Sequence, residues 1–174
     1  LAANGDIYAC GVFYEEAIFG STTLTSTGYY DFWIAKLSSS GQWQWAQALH
    51  GAGDYDGTTV TTLDVVWGTA IAVDSSGNVY AGGMFIGNTD VGTAADTGAQ
   101  SSDDAEVFIA KYSSSGSLQW TEDARGGGYQ EINSIAVDGN NEVWASSTFQ
   151  NSMTFGSQTV SGGTDAVLAR INGG

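Results

Sequence analysis

The hydrophobic residues of this chain fall in short runs that alternate with polar residues, and polar clusters separate the runs. The run 142–148 follows the polar cluster 138–141, and the run 78–85 follows the cluster 74–77. Alternation with a period of two residues is typical of β-strands, and Asp, Asn, Ser and Gly between strands are typical of hairpin turns. No window keeps the 3.6-residue spacing of an amphipathic helix. The pattern therefore predicts an all-β protein with almost no helix.

Two phrases of this pattern recur three times along the chain at a spacing of roughly 70 residues. The first phrase occupies residues 4–9, 76–81 and 140–145. The second occupies residues 32–37, 107–112 and 167–171. Self-similarity at a long period is the signature of a repeat architecture, in which each repeat is one unit of strands.

Each repeat is predicted to contain four strands, because serine-rich turns at 38–41 and 113–116 follow the second phrase and lead into a further run. That run carries Trp43 and Trp45 in the first repeat and Trp120 in the second. Residues two apart on a strand share a face, so we expect Trp43 and Trp45 to lie on one buried face. The shared phrases 19–24 and 155–160 predict a small projecting hairpin, which has decayed at 91–96 in the middle repeat.

Three consecutive motifs, GNVYAGG, VFIAKYSSSGSLQW and SIAVDGNN, resemble the bacterial SBBP family of seven-bladed β-propeller repeats, found in large secreted or surface proteins. The resemblance covers nearly the whole chain. It implies tandem four-stranded antiparallel blades of the β-propeller type and implies no catalytic residues. The chain departs from the pattern in the insertion 58–68 and in the degenerate segment 88–102.

The chain holds about two and a half repeats, which we place at residues 1–68 with the inserted loop, 69–131 and 132–174. The alignment of the phrases predicts that the first repeat lacks its inner strand and the third lacks its outer tryptophan strand. A closed propeller needs roughly four to eight blades. We therefore expect an open array, or one whose edges are completed by another copy or by further repeats of a longer chain, because unpaired strand edges recruit strands.

The chain is strongly acidic, with 4 Lys and Arg against 19 Asp and Glu among 174 residues and a formal charge of -15. Such a field repels phosphate backbones and anionic bilayers, so we expect no nucleic-acid partner. We also expect no membrane insertion, because Asp64 and Gly68 interrupt the longest apolar stretch. Composition and resemblance together favour an extracellular or cell-surface location. Cys10 is the only cysteine, so no internal disulfide forms, and a buried apolar role is expected for it.

Three of the four cations occupy one position of the repeat, and three carboxylates occupy another position upstream of it. The cations are Lys36, Lys111 and Arg170, and the carboxylates are Asp31, Glu106 and Asp165. The odd offset between the two positions places them on opposite faces of a strand. We therefore expect each cation to pair across strands or between repeats and not with its own upstream carboxylate.

The best candidate metal ligands are Asp54 and Asp56, which stand one residue apart before Gly57. Carboxylates at this spacing open many calcium loops, and hard cations prefer oxygen ligands. The third oxygen ligand and the terminal Glu of an EF-hand are missing. Calcium is therefore a possible ligand, and no other cofactor is predicted.

Candidate catalytic residues are sparse. His50 has no serine or cysteine nucleophile motif beside it, and Glu15 and Glu16 would point to opposite sides of a strand. We therefore predict that the chain is not an enzyme.

The sequence favours a non-catalytic structural or interaction module of an extracellular or cell-surface repeat protein. Head-to-tail association of such modules would build a fibre, a sheath or a surface layer. The alternative is a glycan- or calcium-dependent binding module of the adhesin or lectin type, in which tryptophans stack on sugars.

Overall fold

The computed structural model describes residues 2, 4–51, 64–87, 89–90 and 104–171. Within these residues the chain forms β-strands and no helix, which confirms the all-β prediction. In chain order the strands are β1 (Ile7–Phe13), β2 (Glu16–Phe19), β3 (Thr22–Thr25), β4 (Asp31–Leu37), β5 (Trp43–Gly51), β6 (Val65–Val73), β7 (Val79–Ile86), β8 (Thr89–Asp90), β9 (Ala105–Tyr112), β10 (Leu118–Arg125), β11 (Gln130–Val137), β12 (Val143–Phe155) and β13 (Gln158–Ile171).

None of the described residues belongs to a helix with the length and hydrophobicity needed to cross a membrane.

The strands form three groups that follow the order of the chain. In the first group β4 pairs with β1 on one side and with β5 on the other. In the second group β6, β7, β9 and β10 are successive antiparallel neighbours. In the third group β12 pairs with both β11 and β13. A short ladder between β10 and β12 joins the second and third groups into one larger sheet, which is nearly closed and barrel-like.

The two repeated phrases occupy equivalent strands of these groups. The first phrase lies at the start of β1, β7 and β12, and the second lies on β4, β9 and β13. The predicted boundaries of the repeats at 68 and 131 stay a prediction.

The second residue of the first phrase has a left-handed backbone conformation in all three groups. Gly5, Gly77 and Asn141 occupy one position and have φ angles of 84°, 83° and 62°. Gly and Asn are the residues that adopt this left-handed conformation most readily. In the second and third groups an aspartate closes the turn, since Asp74 Oδ1 accepts from the amide of Asn78 at 2.8 Å and Asp138 Oδ1 from that of Glu142 at 3.0 Å. Local chemistry therefore sets these hairpins, as the sequence predicted.

The predicted small hairpin exists in the first group, where β2 and β3 form a separate two-stranded sheet. In the third group β12 and β13 run through the equivalent positions and turn at 156–157. The equivalent segment of the middle group, 91–96, lies outside the described residues.

Two apolar cores lie on the two sides of β7 and β9. One core packs β7 and β9 against β1 and β4, and the other packs them against β11 and β12. Phe32 of β4 meets Phe108 of β9 edge to face at a ring distance of 5.5 Å, and both side chains are fully buried. Because both of their faces are covered, β7 and β9 are apolar at nearly every position and do not alternate.

The expectation that Trp43 and Trp45 share one buried face is wrong, because β5 carries a bulge between them. Trp45 lies opposite Lys36, whereas Trp43 lies opposite the next residue, Leu37. A bulge places two residues opposite one and changes the direction of the strand's side chains. Trp45 is half-buried against the first core, and Trp43 is 41% exposed and packs on Phe19 of β2 at a ring distance of 5.0 Å.

We expect Phe108→Ala to lower the free energy of unfolding by about 3–5 kcal/mol, because it removes a fully buried ring from the contact between β9 and β4. Urea denaturation followed by tryptophan fluorescence measures this loss. The control is Trp43→Ala, which removes a larger but partly exposed ring. Equal losses for the two variants would show that the contact between β4 and β9 is not central to stability.

Candidate functional site

The recurring cations pair across strands, as the sequence predicted. Lys36 Nζ lies 3.0 Å from Asp6 Oδ2, and its ammonium stands 5.3 Å from the centre of the Tyr8 ring. The Lys36 ammonium lowers the pKa of Asp6, mainly through this hydrogen bond. Tyr8 is the residue directly opposite Lys36 in the β1–β4 ladder. A cation, an aromatic ring and a carboxylate thus meet at the end of this strand pair.

The second and third groups repeat this arrangement with substitutions. Lys111 of β9 stands 5.5 Å from the ring centre of Tyr80, its neighbour on β7. Arg170 of β13 lies opposite Trp144 and binds Glu142 at 3.3 Å, through a pair that is largely exposed. Exposed pairs of this kind contribute about 0–1 kcal/mol, so this pair adds little to the stability of the fold.

The first group contacts the second group through an indole. Trp45 of β5 donates its Nε1–H to the carbonyl oxygen of Ser114 at 3.1 Å. Ser114 lies in the turn between β9 and β10, where Gly116 leaves space for the ring: a Cβ at Gly116 would lie 2.7 Å from the indole. Trp120 occupies the position of Trp45 in β10 and packs against Tyr80 at a ring distance of 6.1 Å.

The third group presents a long strand edge. Among the described residues β13 pairs only with β12, and most of its side chains are exposed. Leu168 is 65% exposed and Val160 is 37% exposed. A groove of about 380 Å³ runs beside this edge, and its lining includes Glu122, Met153, Val160, Val167, Leu168 and Arg170. Within the described part of the chain, the edge therefore combines backbone groups that have no strand partner with an apolar surface, which is the combination that strand addition uses.

The upstream carboxylates occupy one repeat position but have three different environments. Asp31 is completely buried, Glu106 is 2% exposed, and Asp165 is exposed. At this position Asp31 begins β4, Glu106 is the second residue of β9, and Asp165 lies in the middle of β13.

Asp31 is held as an anion by surrounding donors. Its carboxylate accepts from the amides of Thr27 and Gly51, each at 2.8 Å, and from the hydroxyl of Ser26 at 2.9 Å. His50 Nδ1 lies 2.8 Å from Asp31 Oδ2. The pKa of Asp31 is lowered: burial alone would raise it, but the hydrogen bonds from His50, Gly51, Thr27 and Ser26 together outweigh that effect.

The pairing of His50 with Asp31 is a relation that the sequence did not reveal. The two residues lie on neighbouring strands, and neither spacing nor motif connects them. The Ser26 hydroxyl donates to Asp31 and contacts the carbonyl of Gly28. This geometry does not match a nucleophile activated by a base, in which the hydroxyl donates to the imidazole.

Glu106 has far fewer donors than Asp31. Its Oε2 accepts from the amide of Gly126 at 3.0 Å, which is the counterpart of the bond from Gly51 to Asp31. Its Oε1 is buried without a hydrogen-bond partner among the described residues. Burial raises the pKa of Glu106 to about 7, and the nearby Asp104 and Asp123 add to the rise.

The other candidate metal-binding or reactive residues either show no arrangement of a functional site or lie outside the described residues. Asp54 and Asp56 lie outside them, so their role as calcium ligands stays a prediction. In the part of the chain that is described, no group of three or more His, Cys, Asp or Glu side chains could hold a metal ion. Cys10 is half-buried beside the first core, and burial raises the pKa of its thiol to about 11. Glu15 lies in an exposed turn with a φ of 59°.

Comparison with known proteins gives no family assignment, because no family model matches the chain and no curated protein matches it significantly.

We expect Asp31→Asn to lower the free energy of unfolding by about 2–4 kcal/mol at neutral pH, because donors that now face an anion would face an amide. Because the pKa of Asp31 is lowered in the folded state, its carboxylate stabilises the fold fully at pH values above the ordinary pKa of an aspartate. This stabilisation is lost as the pH falls through the lowered pKa, below about pH 4. Urea midpoints between pH 2.5 and 7 measure both effects.

Asp165→Asn is the matched control for this experiment, because it changes the same repeat position where the side chain is exposed. We expect a change within about 0.5 kcal/mol. If Asp31→Asn were as mild as Asp165→Asn, the buried hydrogen-bond network would not contribute to stability.

Proposed function

We propose that this chain is a non-catalytic structural and interaction module built from tandem four-stranded antiparallel blades of the β-propeller type. The positions of the two phrases on equivalent strands support this interpretation, as does the antiparallel succession β6, β7, β9, β10. The resemblance to SBBP repeats is part of the proposal. With it comes an extracellular or cell-surface location, which agrees with the acidic composition.

The observation that carries the proposal is the difference between β13 and its two counterparts. β4 and β9 each have a strand on both sides, whereas β13 has a described partner on one side only. In the two complete cases the added strand places an indole opposite the recurring cation: Trp45 opposite Lys36, and Trp120 opposite Lys111. Arg170 is the corresponding cation of β13, and the apolar groove lies beside it.

We therefore infer that the β13 edge accepts a further strand, which comes from another copy of the chain or from further repeats of a longer chain. Backbone hydrogen bonds would supply the pairing, and the groove would hold an apolar side chain. A contact of this head-to-tail kind that does not close into a ring produces a filament. A fibre, a sheath or a surface layer is the assembly that this geometry would build. The net charge of -15 opposes association, so added salt should strengthen it.

We expect Leu168→Lys to reduce self-association, because it places a charge in the groove beside the β13 edge. Size-exclusion chromatography with light scattering, run over a range of protein concentrations at 0.15 M and 0.5 M salt, measures the apparent mass. The matched control is Ile18→Lys, because Ile18 is 69% exposed on β2 and Leu168 is 65% exposed on β13.

The proposal expects a mass that rises with concentration for the unmodified chain and for Ile18→Lys, and a lower mass for Leu168→Lys. A folded monomer at every concentration would contradict self-association. Equal effects of the two variants would show that association does not use the β13 edge.

A second candidate function, glycan binding, is favoured by an aromatic cluster that sequence reasoning did not single out. Tyr29 and Tyr30 precede β4, Tyr14 precedes β2, and Trp67 lies on β6. Their ring centres are 4.6 Å apart for Tyr29 and Tyr30, 5.7 Å for Tyr14 and Tyr29, and 6.3 Å for Tyr30 and Trp67. Tyr14 is 38% exposed and Trp67 is 39% exposed. Exposed rings that support one another at their edges offer an apolar face with polar tips, which suits a sugar ring.

We expect Trp67→Ala to weaken binding to an immobilised glycan array if this second function holds, whereas Trp43→Ala should leave binding unchanged. Trp43 is a suitable control because it is also partly exposed but lies against β2. Calcium belongs to the same alternative, through Asp54 and Asp56, and should raise the melting temperature by ligand linkage. Absence of glycan binding, together with an unchanged melting temperature in millimolar calcium, would remove this candidate.

A further inference from the structure

Two buried acceptor oxygens lie around one glycine where the second group meets the third, and both lack hydrogen-bond partners among the described residues. They are Oε1 of Glu106 on β9 and Oε1 of Gln130 on β11. Glu106 is 2% exposed and Gln130 is fully buried. The Gly126 amide donates to the other oxygen of Glu106, and a Cβ built on Gly126 would lie 2.7 Å from Gln130 Nε2. Both side chains therefore converge on Gly126.

A proton would satisfy both of these oxygens together. An ionised Glu106 is only an acceptor, and Gln130 Oε1 is only an acceptor, so the two cannot bond. A protonated Glu106 gains an O–H donor, for which Gln130 Oε1 is an acceptor. The amide of Gln130 keeps this orientation because its Nε2 donates to the carbonyl oxygen of Ser152 on β12 at 3.3 Å.

We propose that Glu106 and Gln130 form a buried proton-binding site at the junction of β9 with β11 and β12, in which protonated Glu106 donates to Gln130 Oε1. Loss of this proton leaves a buried carboxylate beside an unsatisfied amide oxygen. The proton therefore stabilises the attachment of the third group to the second, and its release weakens that attachment.

The junction between the first and second groups has different residues at the positions of Glu106 and Gln130. Asp31 stands where the other junction has Glu106, and it has enough donors to remain an anion. Val66 stands where the other junction has Gln130: Val66 lies opposite Phe85 on β7, and Gln130 lies opposite Phe149 on β12. An apolar residue accompanies the stabilised anion, and an acceptor amide accompanies the carboxyl group that has a single donor. In each junction, the residue at the position of Val66 or Gln130 thus suits the charge state of the carboxyl group beside it.

The carboxylates around Glu106 support its neutral form. The charged groups near Glu106 among the described residues are Asp104 just before β9, and Asp123 and Arg125 on β10. Both aspartates raise the pKa of Glu106 further, and burial contributes most of the rise to about 7. The Arg125 guanidinium binds Asp123 and stands over the Phe85 ring at 5.8 Å. The hydrogen bond from the Gly126 amide favours the ionised form.

The sign of the pH dependence follows from the raised pKa. The folded chain holds this proton more tightly than the unfolded chain, whose carboxyl group titrates near 4.5. The stabilisation is fully present below about pH 4.5 and is lost as the pH rises to about 7. This trend is opposite to that of Asp31, which stabilises the fold only while it is ionised.

Glu106→Gln tests the proposal, because the variant keeps the shape of the side chain and carries a permanent donor. Urea unfolding of the whole chain is measured at pH 5, 6, 7 and 8. The ratio of the unfolding equilibrium constants of the unmodified chain and the variant should rise by about tenfold or more between pH 5 and 8, since one pKa unit corresponds to a factor of ten. Taking this ratio cancels the pH effects that the two proteins have in common. A ratio that does not change with pH would overturn the proposal.

Three further measurements separate this site from a general effect on folding. Asp165→Asn changes the same repeat position where the side chain is exposed, and it should keep the neutral-pH dependence of the unmodified chain. In the unmodified chain, ¹³C NMR of the Glu106 carboxyl group should give a titration midpoint near 7, and a midpoint near 4.5 would overturn the proposal even if Glu106→Gln fails to fold. Gln130→Met removes the acceptor and should destabilise the chain more at pH 5 than at pH 8. Equal destabilisation at both pH values would show that Gln130 does not accept the proton.

Discussion

The burial of β7 and β9 on both faces is the constraint on which the rest of the structure depends. These strands have one core in common with β1 and β4 and the other with β11 and β12, so the first and third groups are both positioned by the second. A one-residue change in register would move side chains from one core to the other. The small residues that β7 contains, such as Ala81 and Gly82, allow a close approach of the neighbouring layers. A Cβ on Gly82 would lie 2.7 Å from a methyl carbon of Ile135.

The positions between the groups carry the chemistry that distinguishes one repeat from the next. Asp31, Glu106 and Asp165 occupy the same position of the repeat. Asp31 is a hydrogen-bonded anion, Glu106 is a buried carboxyl group with few donors, and Asp165 is exposed. The difference arises because each is surrounded by different neighbours. At the first junction His50 and the residues before β4 supply donors, whereas at the second Gly126 supplies one and Gln130 supplies an acceptor. Repetition of the backbone therefore does not imply repetition of charge state.

Strand edges give the proposed function its physical basis. In the first and second groups β5 and β10 each bring an indole opposite the recurring cation, and Trp45 also donates to the carbonyl oxygen of Ser114. The β13 edge has the recurring cation, Arg170, and the apolar groove beside it, and its only partner strand among the described residues is β12. An edge of this kind recruits a strand unless charge or proline protects it, and β13 contains only two charged residues, Asp165 and Arg170, and no proline. The chain's acidity would limit how freely such edges associate.

The sequence by itself determined the strands and their turns, because alternation and turn chemistry are local properties. It also indicated that the recurring cations pair across strands, whereas the individual partners of Lys36 and Arg170 came from the structure. The bulge that exposes Trp43 could not be read from the sequence, because it depends on how β5 pairs with β4.

Only the tertiary structure decided the environments of the buried carboxylates and the position of the aromatic cluster. The partners of Asp31 and Glu106 come from strands and turns distant in sequence, and a hydrogen bond depends on distances that periodicity does not encode. The ring contacts of Tyr14 with Tyr29, and of Tyr30 with Trp67, join separate parts of the chain in the same way. Pattern fixes which way a side chain faces along its own strand, whereas its charge state depends on the groups that folding brings next to it.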